Sequence, residues 1–103
     1  MQNKVSEFNK LRNCHTEPMP AMARVLDIQS EVGELAKEVL KSTKYGTKEF
    51  VKTEDFELEL GDVLYSLLSL ADEMGVDAGS SLDKVIEKYR KRIESNDSMG
   101  SGR

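Results

Sequence analysis

Apolar residues recur at intervals of three and four along four separate stretches of this chain. Because an α-helix turns by about 100° per residue, this spacing places them on one helical face. No stretch shows a convincing strand pattern. Four amphipathic helices with mostly short connections predict an all-α fold, a four-helix bundle. The predicted helices run from about Gln2 to Cys14, from about Met19 to Ser42, from Thr53 to about Met74, and from a start between Asp77 and Ser81 to about Glu94.

Residues that interrupt or begin helices separate these stretches. Proline lacks a backbone donor and restricts the residue before it, so Pro18 and Pro20 separate the first helix from the second. Thr53 is the predicted N-cap of the third helix, since its side-chain oxygen can accept from the first turn. A length of 103 residues suits one domain, which we expect over residues 1–95. The polar, Gly- and Ser-rich residues 96–103 are predicted to form a flexible tail.

The net negative charge argues against two classes of binding partner. The net charge of −4 gives no general attraction to a nucleic-acid polymer or to an anionic membrane, and we expect neither as a partner. No segment approaches the ~18 apolar residues that a membrane span requires. The single cysteine, Cys14, excludes an intrachain disulfide. The sequence therefore predicts a soluble, cytoplasmic protein, and its modest core makes association between subunits a natural source of further buried area.

Acidic side chains border the apolar stripe on both the second and the third helix. On each helix they fall within one narrow arc, so the two acidic rows can meet at one edge if the apolar faces pack together. The row on the second helix consists of Asp27, Glu31, Glu34 and Glu38. The row on the third helix consists of Asp55, Glu59, Asp62 and Glu73, and Ser66 lies on the same narrow stripe.

Two interpretations of these rows remain open from the pattern. Carboxylates brought close together repel one another, and a divalent cation among them relieves that repulsion. Ligands that are all oxygens suit Mg²⁺ first and Mn²⁺ or Ca²⁺ next. Glutamates at this spacing are also common on plain, solvated helix faces, where they bind nothing.

Two short motifs give a resemblance to a known family. EVGEL at residues 31–35 and ELGDVL at residues 59–64 resemble the signature of the MazG-type all-α nucleotide pyrophosphohydrolases. That family carries Glu-x-x-Glu on one helix and Glu-x-x-Asp on the next. The turn at residues 75–77 and the closing helix extend the resemblance over roughly residues 5–94. Ser30 stands where many relatives have a second glutamate, and Glu38 on the same face could contribute in its place.

The resemblance implies an activity and a set of site residues. It implies hydrolysis of a nucleoside triphosphate between the α and β phosphates, giving a nucleoside monophosphate and pyrophosphate, in the cleansing or tuning of nucleotide pools. It implies a homodimer or homotetramer with sites near the subunit interfaces. The catalytic and metal-binding residues would be Glu31, Glu34, Glu59 and Asp62, holding Mg²⁺, with Mn²⁺ also possible. One of the glutamates could act as a general base instead of a ligand.

A basic strip on the fourth helix supplies candidate phosphate-binding residues. Lys84, Lys88 and Arg92 recur every four residues and therefore share one face. Lys88 and Arg92 match family positions that contact phosphate, and Lys84 extends the strip. The other interpretation is that these cations complement the dipole at the end of a helix and stay solvated.

Three further hypotheses compete with or refine this function. A phosphoribosyl-ATP pyrophosphatase has the same fold and cleaves the same bond. A non-enzymatic helical module that oligomerises or binds a partner helix would need neither acidic row. A carboxylate-only metal store or redox site would hold iron or manganese. On the first helix, Phe8, Asn9 and Arg12 could reach a nucleobase, although Phe8 fits a core position better.

Overall fold

A computed structural model describes residues 1–17 and 19–95 of the chain. These residues contain no strand, which confirms the all-α prediction. The predictions for Pro18 and for the tail at residues 96–103 lie outside the described residues. The four helices are α1 (Gln2–Asn13), α2 (Ala21–Ser42), α3 (Glu54–Glu73) and α4 (Ala78–Ser95).

The helix ends follow from local hydrogen bonding. The side chain of Thr53 accepts from the backbone N–H of Phe56 at 3.0 Å, which confirms the predicted N-cap of α3. Helix α2 begins at Ala21, later than predicted, because Pro20 is the N-cap and has extended backbone. At the start of α4, the Asp77 carboxylate accepts from the backbone N–H of Ser80 at 3.1 Å.

Helices α1, α2 and α3 pack side by side. An Arg24–Glu73 contact at one end and a Thr53–Glu38 hydrogen bond at the other show that α2 and α3 form an antiparallel hairpin. Helix α1 lies on α3, also antiparallel to it. The Gln2 side chain donates to the Val76 carbonyl and accepts from the Ala78 N–H, both at 2.8 Å.

The interior between these three helices is largely polar. The Asn9 amide donates to Ser69 Oγ at 3.0 Å and accepts from the Tyr65 hydroxyl at 2.6 Å. Arg24, with a side chain only 2% exposed, lies 3.5 Å from Asp27 and 3.4 Å from Glu73. Its guanidinium carbon is 5.7 Å from the centre of the Tyr65 ring. A buried cation and its hydrogen-bonding neighbours therefore occupy space that leucines fill in many bundles.

Helix α4 contacts the rest of the chain mainly through α3. Leu82 and other residues at the start of α4 line one cavity together with Leu64 and Leu68. Further along α4 the apolar side chains stay open, with Tyr89 48% and Ile93 60% exposed. The radius of gyration is 17.4 Å, against about 13 Å for a compact domain of this length. One chain alone thus leaves an apolar helix face uncovered. None of the described helices has the length and apolar character needed to cross a bilayer.

Candidate metal centre

Three acidic side chains meet where the middle of α2 faces the middle of α3. Carboxylate oxygens of Glu31, Glu59 and Asp62 lie within 4.8 Å of one another. Glu59 and Asp62 are three residues apart, so they share one face of α3, and Glu31 approaches them across the antiparallel hairpin. Glu31 and Glu59 are half-buried, whereas Asp62 is exposed. The group, which we term the carboxylate triad, is therefore open to solvent on the Asp62 side.

The electrostatics of the triad favour a cation. The pKa of Glu31 is raised above its ordinary value of 4.5, first because burial disfavours its charged form and then because Asp62, Asp27, Glu59 and Glu34 carry like charges nearby. A divalent ion would reverse both the repulsion and the shift. Its donors would be oxygens alone, as Mg²⁺ and Mn²⁺ prefer, and an open side leaves room for water and phosphate ligands. The residues present therefore fit a hard divalent cation.

Glu34, the fourth predicted ligand, lies outside the triad. Its side chain is 52% exposed and forms an ion pair with Lys37 at 3.8 Å. It is close enough to raise the pKa of Glu31, one helical turn away. An exposed ion pair of this kind contributes little free energy, so the Glu34 carboxylate is easily released. The predicted ligand role of Glu34 remains a prediction.

Hydrogen bonds engage Glu38 and Asp27, the two ends of the acidic row on α2. The Glu38 carboxylate accepts from Thr53 Oγ1 at 3.3 Å and pairs with Lys41 at 3.8 Å, so it supports the start of α3. At the other end, Asp27 accepts from Ser66 Oγ at 2.8 Å, beside Arg24. Between these two ends, no hydrogen bond among the described residues engages the carboxylates of Glu31, Glu59 and Asp62. A polar cleft of about 380 Å³ adjoins the triad and is lined by Glu34, Lys37, Glu38, Lys41, Asp55 and Glu59.

The predicted phosphate-binding residues lie on α4. Lys84 and Lys88 are exposed and Arg92 is half-buried. Lys88 Nζ lies 5.8 Å and the Arg92 guanidinium carbon 5.7 Å from the centre of the Tyr89 ring, where both interact with its face. Within the described part of one chain, no hydrogen bond or ion pair joins this strip to the carboxylate triad. Their role in binding phosphate remains a prediction.

Comparison with known proteins decides the family. The sequence model of the family described as the MazG nucleotide pyrophosphohydrolase domain matches residues 22–95. That span contains both acidic rows and α4. The chain belongs to the MazG nucleotide pyrophosphohydrolase family. A curated relative, the uncharacterized protein YpjD of Bacillus subtilis (strain 168), is 38% identical over 96 residues, which cover 89% of this chain and 82% of the relative. No solved structure matches the chain.

Membership of the MazG family confirms the resemblance drawn from the two motifs. It indicates nucleoside triphosphate pyrophosphohydrolase activity in general. MazG proteins typically depend on a divalent metal, and the carboxylate triad could bind such an ion.

The sequence patterns missed the buried cation of this MazG chain. Arg24 lies three residues before Asp27 and seven before Glu31, a spacing that places all three on one face of α2. That spacing is the signal that could have identified it. Its burial depends on Glu73 and Tyr65 of α3, which the pattern along a single helix does not reveal.

The three residues of α1 that were predicted to reach a nucleobase differ in burial and in hydrogen bonding. Phe8 is about half exposed and packs edge-to-face on Tyr65, with ring centres 5.9 Å apart. Asn9 is buried and its amide is engaged with Tyr65 and Ser69. Arg12 differs from both, because its Nε and Nη2 atoms are buried with no hydrogen-bond partner among the described residues.

Proposed function

We propose that this MazG protein is an Mg²⁺-dependent nucleoside triphosphate pyrophosphohydrolase. It cleaves its substrate between the α and β phosphates, releases a nucleoside monophosphate and pyrophosphate, and serves in nucleotide-pool housekeeping. The observation that carries the proposal is the meeting of Glu31, Glu59 and Asp62 across α2 and α3, in a domain of this family. Mn²⁺ is an alternative ion, since it accepts the same oxygen ligands.

The carboxylate triad is the proposed ligand set. When bound, Mg²⁺ neutralises charge on phosphate oxygens and lowers the pKa of water. Glu31 and Glu59 would hold the ion from the half-buried side, and the exposed Asp62 would border the side that is open to an arriving triphosphate. The same three carboxylates repel a triphosphate that arrives without a cation, so they couple substrate binding to the ion.

Glu34 is the proposed general base. Its carboxylate is outside the triad yet acts electrostatically on Glu31, and only an exposed pair with Lys37 holds it. A general base accepts a proton from the attacking water. It therefore needs an oxygen lone pair that is not already bound to the metal ion. Glu34 satisfies that requirement better than the three residues that face one another.

The proposed active form is a homodimer or homotetramer in which α4 is covered. Support comes from the exposed apolar side chains of α4, including Ile86, Tyr89 and Ile93, and from the extended shape of the single chain. Lys84, Lys88 and Arg92 share this helix and are proposed to bind the phosphates of the substrate. In the proposed assembly, such a strip lies beside a carboxylate triad.

Pyrophosphate release from a panel of nucleoside triphosphates with Mg²⁺ tests the activity. We expect release by the unaltered protein and a loss of turnover in Glu34→Gln with retained Mn²⁺ binding. Glu57→Gln on α3 is the matched control, because Glu57, like Glu34 on α2, is an exposed glutamate paired with a lysine, here Lys52 at 3.3 Å. Absence of release from every triphosphate at micromolar protein would refute the proposal, as would equal turnover in the Glu34 variant and the control.

Light scattering on a size-exclusion column tests the assembly. We expect a mass of two or four chains for the unaltered protein and a shift toward one chain in Ile93→Lys, which places a charge on the exposed apolar face of α4. A monomer at every accessible concentration would refute this part of the proposal.

A further inference from the structure

Arg12 of α1 carries buried hydrogen-bond donors that the described residues leave unsatisfied. Its Nε and Nη2 are shielded from solvent, and neither atom has a hydrogen-bond partner among the described residues. Leaving a buried polar donor unsatisfied costs about 1–3 kcal/mol, and more for a charged group. Such an arrangement is unusual in a native protein, and a ligand that supplies the missing acceptor would explain it.

The position of Arg12 places it at the same level of the helical layer as the carboxylate triad. Along α3, Gln2 of α1 meets Val76, and Asn9 meets Ser69 and Tyr65. Arg12 follows Asn9 by three residues, which advances it by about 4.5 Å and keeps it on roughly the same side of α1. By the same pairing, the antiparallel α3 reaches residues 62–66 at that point, and Asp62 is a member of the triad.

Three acceptors of the polar interior, on Asp27, Glu73 and Asn9, already have donors. Asp27 accepts from Ser66 and lies beside Arg24. Glu73 pairs with the same arginine, and the Asn9 oxygen accepts from the Tyr65 hydroxyl. Arg24 thus serves the internal carboxylates, whereas Arg12 forms no ion pair within the described residues. Among the described residues, no acidic side chain pairs with Arg12 and would give its charge a structural role.

We propose that Arg12 binds a phosphate oxygen of the substrate. This inference rests on the proposed function and adds a cation from α1 to those of α4. A guanidinium group offers a planar fork of donors that matches a phosphate, and the pairing is strongest where water is excluded. The carboxylate triad supplies only negative charge, so a triphosphate beside it needs cationic donors as well as the metal ion.

The test compares Arg12→Met with Lys10→Met. Lys10 is the matched control because it is an exposed cation on the same helix and pairs with the exposed Glu7 at 3.7 Å. We expect the KM for nucleoside triphosphates to rise about 10- to 100-fold in the Arg12 variant and to change less than about twofold in the control. Arg12→Lys should recover part of the affinity, since it keeps the charge and loses the fork.

Calorimetry with Mg²⁺ and inorganic tripolyphosphate, which has no base or sugar, separates phosphate from nucleobase. We expect Arg12→Met to weaken tripolyphosphate binding by a similar factor while Mn²⁺ binding alone is unchanged. The thermal midpoint of the ligand-free variant should stay equal or rise, because unsatisfied buried donors are removed. A fall in that midpoint with tripolyphosphate affinity preserved would overturn the inference in favour of a structural arginine.

Two further outcomes are informative. A loss confined to nucleotides, with tripolyphosphate binding intact, would overturn the inference and indicate a contact with the base or sugar. If the unaltered protein binds tripolyphosphate through Arg12 but releases no pyrophosphate from any nucleotide, the proposed function fails and the phosphate contact stands.

Discussion

Replacing Asp62 with Asn is expected to stabilise the metal-free protein and to weaken its response to divalent ions. The substitution keeps the shape of the side chain and removes one of the three charges of the triad. Asp62 takes part in two of the three repulsive pairs, whose oxygens lie within 4.8 Å. Losing both repulsions favours the folded state when no cation is present.

The magnitude follows from Coulomb's law. Two unit charges 4.8 Å apart repel by about 0.9 kcal/mol in the dielectric of water and by about 3.5 kcal/mol at an effective dielectric of 20. The lower figure applies because Asp62 is exposed. Two pairs give about 1.7 kcal/mol, and screening by physiological salt reduces this to about 1 kcal/mol. For a domain of this size, that free energy raises Tm by roughly 4 °C.

Calorimetric melting with and without Mn²⁺ is the assay. At an ion concentration about 100 times its Kd, the unaltered protein gains about 2.7 kcal/mol, and a tenfold weaker variant gains about 1.4 kcal/mol. Asp62→Asn should therefore start from a higher Tm and show about half the metal-induced shift. Asp83→Asn, the same change at an exposed position on α4, is the control and should do neither. A lower metal-free Tm for Asp62→Asn, or an undiminished Mn²⁺ shift, would refute the reasoning.

Three further predictions concern stability. Arg24→Met leaves Asp27 and Glu73 without their buried cation and should lower the free energy of unfolding by about 3–5 kcal/mol in denaturant titrations; a loss below 1 kcal/mol would contradict this. Because the pKa of Glu31 is raised above 4.5, metal-free stability should fall as pH rises through that raised pKa, and Glu31→Gln should flatten the dependence of Tm on pH; an unchanged slope would argue against it. Thr53→Ala removes the N-cap of α3 and should cost about 1 kcal/mol, with Thr53→Ser as the control that keeps the cap.

Helix periodicity was sufficient to predict most of the fold. The apolar spacing predicted four helices, and the N-cap preference of threonine predicted the start of α3 at Glu54. These are properties of contiguous residues. The same periodicity placed Glu31, Glu59 and Asp62 beside apolar stripes, although their ligand roles remain predictions.

Features that depend on pairing between helices could not be predicted from the pattern. Glu34 and Glu38 belong to the same predicted row, yet one pairs with an exposed lysine and the other supports the α3 N-cap. The difference arises because the first residue before α3, Thr53, lies beside Glu38 and not beside Glu34. The burial of Arg24 likewise depends on α3, since a charge at that position would ordinarily be expected in solvent.

The buried cation between α2 and α3 also determines how the two helices can align. Sliding one helix past the other by a single turn moves it about 5.4 Å, which would carry Glu73 away from Arg24 and leave desolvated charges unmatched. A seam made only of leucines would tolerate that slippage far better, because apolar contacts are non-directional. The polar interior therefore fixes the register of α2 against α3. A shift in register that would separate Glu31, Glu59 and Asp62 also breaks the buried Arg24–Glu73 pair, so the misaligned state is less stable.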